Sequence, residues 1–296
     1  MVNKKQSENG SRPAVNFKYK AGLFEMIFSR KEELLELYNA VNGSHYTDPG
    51  LLEINTLENA VYMSIKNDIS FILGTQLSLY EHQSTWNPNL PLRYLEYIAD
   101  LYSALTKEAP VYGSKPIRLP TPEFIIFYNG SEEQPDRKTL KLSDLYTIHK
   151  EKPALELEAV MLNINRGHNQ ELMDACRTLK DYSEYIARVR EYSKEVPIEY
   201  AVEKAVTECI HENILADFLS RYRAEAIKVS IYEYDAEKHI RQEREESYQT
   251  GFSEGRETGI KFAKSIFQLQ KKGMSVSEIA REQNISEEKV KEILEQ

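Results

Sequence analysis

Chemistry is first legible in "NDISFILGTQLSLYEHQS", Asn67 to Ser84, where acidic and amide side chains end an alternating apolar stretch. Ile69, Phe71 and Leu73 alternate with their neighbours, Gly74-Thr75 interrupts, and Leu77 and Leu79 resume the alternation. A period of two on either side of a two-residue Gly-first break predicts a hairpin with a type II′ turn, in which Leu73 pairs with Gln76. Counting outward in that register sets Asp68 opposite Glu81. Carboxylates directly across a strand pair lie about 5 Å apart at Cβ and repel. Exposure to water, a shared proton, or a hard divalent cation taking carboxylate oxygens would compensate. Side chains alternate along a strand, so Glu81 and Gln83 share a face, about 6.8 Å apart, while His82 points the other way with only its backbone carbonyl facing a metal. On the residues alone two readings stay open: a solvated hairpin edge, or a site in which Asp68, Glu81 and Gln83 act together. Arg93 and Tyr97, one helical turn apart in "PLRYLEY", either reach a phosphate from the next helix or lie on a solvated face.

The elements that must position these residues follow from periodicity. "FKYKAGLFEMIFSRKEELLELYNAV" places Phe24, Ile27, Phe28, Leu34, Leu35, Leu37 and Tyr38 at helical spacings with a break near Ser29, and "GSHYTDPG" reads as a loop. Val61, Met63 and Ile65 alternate as a further strand. "LPLRYLEYIADLYSAL" predicts a helix on Leu92, Leu95, Ile98, Ala99, Tyr102 and Leu105, with Pro91 in its first turn and Asn89 as candidate cap. "EFIIFYNG" predicts a strand buried on both faces and closed by Asn-Gly, and "ALELEAVMLNIN" a further strand. Strands alternating with helices make residues 1–165 an α/β or α+β domain. Residues 166–231 read as a helical extension packed on it, with Leu172, Ala175, Cys176, Leu179 and Tyr182 on one stripe and Ile210, Ile214, Phe218 and Leu219 on a later helix. Residues 232–261 are charged, carry Gly251, Gly255 and Gly259 at four-residue steps, and predict a mobile or helical linker. Residues 262–296 carry two cap signals, Ser275 before Glu278 and Ser286, and resemble a helix-turn-helix. Its second helix, with Glu287, Glu288, Lys289, Lys291 and Glu292, is a poor face for a DNA groove. Packing against protein, including a homodimer or higher homo-oligomer, is the preferred role.

The bulk composition sets limits. The 296-residue chain is 41% hydrophobic and 29% charged, with a net charge of -9, which argues against coating nucleic acid by electrostatics alone. A carboxylate site charged with a divalent cation still permits local contact with phosphates. The polar start lacks a secretory signal and no apolar run approaches the roughly 18 residues of a membrane span, so a cytoplasmic protein without a membrane partner is expected. Cys176 and Cys209 have no ligand spacing and are expected as buried thiols.

The order of a helix, "NDISF", the hairpin, "YEHQS" and "PLRYLEY" resembles the recombination-promoting nuclease and transposase group of the PD-(D/E)xK nuclease superfamily. "FIIFYNG", "LNINRGHNQELM", "LKDYSEYIARVREY" and the late "EYD" extend the likeness over nearly the whole chain. The resemblance implies a restriction-endonuclease-like sheet flanked by helices, magnesium-dependent endonuclease cleavage of DNA, and a link to recombination or mobile elements. It implies Asp68 and Glu81 as metal-binding carboxylates, the His82 carbonyl as a further metal ligand, and Gln83 in the position of the superfamily's lysine. Glutamine has no charge and is no useful base, yet it can hold water or a phosphate by hydrogen bonds. A nuclease fold without turnover, serving as a DNA- or protein-binding module, is the alternative.

Overall fold

The computed structural model describes residues 22–54 and 68–295. The proposed strand on Val61, Met63 and Ile65 lies outside the described residues. The chain divides into two compact units, Met1–Tyr234 and Asp235–Gln296.

The first unit is α/β, built on a mixed six-stranded sheet. Two helices, α1 (Leu23–Phe28) and α2 (Lys31–Asn42), break at Ser29 and precede β1 (Leu52–Ile54), β2 (Ile69–Leu73) and β3 (Gln76–Gln83). Then come α3 (Leu90–Leu105), β4 (Thr121–Tyr128), β5 (Arg137–Lys141) and β6 (Glu158–Asn163), and a helical run follows. The sheet order is β1-β2-β3-β4-β6-β5. The β1, β2 and β3 strands are antiparallel neighbours, β4 runs parallel to both β3 and β6, and β5 closes the edge antiparallel to β6. Parallel strands need a crossover, and α3 supplies it between β3 and β4.

Each face of the sheet carries its own apolar layer. On one, Phe71, Tyr80, Ile125 and Phe127 meet Phe24, Phe28, Leu34 and Tyr182 from the N-terminal and later helices. On the other, Leu77, Leu79, Ile126, Tyr128 and Met161 meet Leu90, Tyr94, Tyr97 and Leu101 of α3. Phe124 to Tyr128 of β4 are all buried, as expected for a strand covered on both sides.

Several expectations are corrected. The buried stripe of α3 is Leu90, Tyr94, Tyr97, Ile98 and Leu101, whereas Leu92 and Leu105 are exposed. The tyrosines win because a ring buries as much area as a leucine once its hydroxyl finds a partner, and the Tyr94 hydroxyl donates to the Ile125 carbonyl at 2.8 Å. The stripe around Cys176 is two helices, α4 (Gln170–Ala175) and α5 (Arg177–Tyr192). Cys176 is extended between them, and the Glu36 carboxylate accepts from the Arg177 N–H at 2.8 Å, so an anion caps a fresh helix start. Ile210 to Leu219 likewise spans two helices, α6 (Ile198–His211) and α7 (Ala216–Arg221). The charged, short β5 was not anticipated; such composition suits an edge strand, which charge protects from further pairing. Both cysteines are buried and free, as expected.

The expected linker is one continuous helix, α8 (Arg223–Lys271). Gly251, Gly255 and Gly259 do not break it, because each costs only about 1 kcal/mol against alanine and strong helix formers flank them. In the second unit α9 (Val276–Gln283) and α10 (Glu287–Leu294) pack Ile279, Ala280 and Val290 against Ile266 and Leu269. The Ser275–Glu278 capping box is present, and the Ser286 hydroxyl caps α10 by accepting from the Lys289 N–H. Among the described residues no helix is long and apolar enough to cross a membrane.

Candidate active site

The site is built on the β2–β3 hairpin. Leu73 pairs with Gln76 and Ile69 with Tyr80, so Asp68, one position outward, stands opposite Glu81. Gly74 makes this register possible: its φ of +63° suits the first turn position, where a side chain would be strained. Leu77 and Leu79 pack toward α3, and Glu81 continues that face at the end of the apolar wall.

Glu81 is only 2% exposed. Its Oε1 accepts from Arg93 Nη2 at 2.6 Å and from Gln83 Nε2 at 3.2 Å. Its buried Oε2 has no hydrogen-bond partner among the described residues. Native interiors leave few such atoms, because a stranded polar atom costs about 1–3 kcal/mol or more when charged. Asp68 is half-buried, and its Oδ2 accepts from the His82 backbone N–H at 2.7 Å. Burial first, and the Asp68 charge second, push the Glu81 carboxyl well above the usual range, against the pull of Arg93 and of a backbone hydrogen bond from Asp68. For Arg93, burial opposes the charge, but Glu81 and Tyr97 outweigh it and raise its pKa.

Arg93 comes from the first turn of α3. Its Nε and Nη2 donate to the Tyr97 hydroxyl at 3.2 and 2.7 Å. The Tyr97 ring is buried in the α3 layer and its hydroxyl faces the arginine, so it braces Arg93 instead of facing outward. Burial first and then Glu81 push the Tyr97 hydroxyl up to about 12, which keeps it protonated.

His82 belongs to the opposite face. Its ring stacks on Phe24 with centroids 5.1 Å apart, and its Nε2 lies 2.9 Å from the Tyr182 hydroxyl. Burial, followed by the charge of Arg190, pulls its pKa down to about 3, so the imidazole is neutral. Only the backbone of His82 belongs with the carboxylates.

Sequence reasoning missed the residues that brace the end of the hairpin. The Gln83 carbonyl accepts from the Asn129 N–H at 2.9 Å, just past β4. Arg190 of α5 donates through Nη1 to Asn129 Oδ1 at 2.6 Å and to Asn165 Oδ1 at 3.3 Å. Asparagines directly after apolar strands, in "YNG" and "LNIN", were the available signal; nothing local marks Arg190.

Among the described residues no group of three or more His, Cys, Asp or Glu side chains is arranged to hold a metal. The donors present are two facing carboxylates, one with a spare buried oxygen. That set fits magnesium, which commonly binds one or two carboxylates, keeps several waters and takes the rest of its shell from substrate phosphates. No protein-family model, curated protein or solved structure matches the chain.

Proposed function

We propose that the protein is a magnesium-dependent DNA endonuclease with a restriction-endonuclease-like core, acting in recombination or at mobile elements. The observation that carries this reading is the buried Glu81 carboxylate, paired across the hairpin with Asp68 and left with one unsatisfied oxygen. The strand and helix order supports the fold reading: helices, an antiparallel hairpin bearing both acids, the α3 crossover and a strand parallel to β3.

Asp68, Glu81 and the His82 carbonyl would hold the cation. When bound, magnesium lowers the pKa of water and stabilises charge on phosphoryl oxygens. The chain's own residues do the rest. The hairpin register fixes the carboxylates against each other, and the His82 N–H orients Asp68. Gln83, tethered to Glu81, presents an amide that holds water or a phosphate oxygen for in-line attack. The apolar wall of Leu77, Leu79 and Tyr94 keeps bulk water from the buried side of Glu81.

A second reading is a binding module without turnover; the Arg93–Glu81 ion pair, which already offsets the carboxylate charge, favours it. Incubating purified protein with supercoiled plasmid and magnesium, calcium or chelator separates the two. Magnesium-dependent nicking that vanishes in Glu81→Ala supports the endonuclease. DNA retention without cutting under any condition supports the module.

A further inference from the structure

We propose that Arg93 is the resident counter-cation of Glu81, that it yields this carboxylate to an incoming divalent cation, and that its guanidinium then meets the scissile phosphate. This rests on the nuclease reading above.

The ion pair is one-sided. Arg93 reaches only Oε1 of Glu81, and Oε2 stays unsatisfied among the described residues. Its side chain is 34% exposed while that of Glu81 is 2% exposed, so Arg93 is the partner of the pair that solvent reaches. Of the ion pair, Arg93 is therefore the group within reach of an incoming phosphate. A divalent cation at the unpartnered Oε2 would stand close to the guanidinium held on Oε1 of the same carboxylate, and the two positive charges repel at that distance.

Tyr97 supplies the pivot. Two Arg93 nitrogens already donate to its hydroxyl, so the arginine keeps an anchor when it leaves Oε1. A planar guanidinium stays charged across working pH and pairs with phosphate through parallel N–H donors. Gln83 presents only a neutral amide, which donates to the same Oε1.

Competition makes a prediction that a purely structural ion pair does not: removing the Arg93 charge tightens cation binding while it slows cutting. Calcium would be titrated calorimetrically into the full-length wild type, Arg93→Gln, Arg93→Lys and Glu81→Gln, and plasmid nicking measured with magnesium for each. Arg93→Gln is expected to bind calcium about tenfold more tightly, within the usual range of site coupling, and to nick about a hundredfold more slowly. Arg93→Lys keeps the charge and so keeps near wild-type calcium affinity, with nicking between the other two; it decides the matter if the glutamine variant does not fold. Unchanged or weaker calcium binding in a folded Arg93→Gln, or wild-type nicking by it, overturns the proposal while the endonuclease stands. If wild type neither binds calcium nor nicks, the endonuclease reading fails and this inference with it.

Discussion

Glu81, buried, and His82, half-buried, are adjacent on one strand and both ionisable, yet the two faces of the sheet treat them oppositely. On the α1 and α5 face, the His82 ring is held between Phe24 and the Tyr182 hydroxyl and kept neutral. On the α3 face, Glu81 is given an arginine, an amide and an opposing carboxylate, and one oxygen is left over. Desolvation is the first cause of the pKa shift at both and so cannot separate structure from function. What separates them is unused coordinating capacity, which a core residue lacks and a site retains at a cost in stability.

The largest expected effect tests the α3 face. Asp68→Ala and Glu81→Ala each reduce plasmid nicking by about a thousandfold or more, roughly 4 kcal/mol of barrier, while circular dichroism stays native. Cutting at the wild-type rate by both variants breaks the comparison. The opposite face should answer in stability: Phe24→Ala removes a fully buried ring that meets Phe28, His82, Phe127 and Tyr182. Urea unfolding should show a loss of about 3 kcal/mol or more; a loss below 1 kcal/mol means that this layer does not hold His82.

The protonation contrast can be sharpened by pH. The folded pKa of His82, about 3, lies below its unfolded value near 6.5, so the unfolded chain binds the extra proton as pH falls between them. His82 thus contributes stability that is complete above about pH 6.5 and is lost toward pH 3. The stability gap between wild type and His82→Gln should shrink across that window by at most about 1.4 kcal/mol per pH unit. A constant gap places a charged imidazole in the core and removes the contrast. The smallest effect lies in the second unit: Ser275→Ala loses the capping box and should cost that unit about 1 kcal/mol. Nicking should be unchanged, and an altered rate would tie this unit to the site.

Much of the site was legible because its rules are local. A glycine-first two-residue turn dictates the pairing of every residue beyond it, so Asp68 opposite Glu81 followed from counting. The start of α3 with Pro91, and the caps at Ser275 and Ser286, were readable for the same reason. Reading failed where a side chain's partner is remote. Periodicity alone does not mark Tyr94 and Tyr97 for the α3 stripe, because burying a tyrosine is favoured by a partner for its hydroxyl, and those partners sit at Ile125 and Arg93. The break at Cys176 depends on Glu36, far back in α2.

By itself, then, the sequence determined the hairpin register, the common face of Asp68, Glu81 and Gln83, and the alternation of apolar strands with helices. These rest on turn geometry and on periods of two and 3.6, which act within a few residues. Only the tertiary structure decided that Arg93 closes on Glu81 with Tyr97 behind it, that Tyr182 holds His82 across 100 residues of chain, and that β6 lies between β4 and β5. The crossover through α3 and the packing of α5 set those meetings. Periodicity fixes which face of a helix is buried, but not where along the sheet it comes to rest.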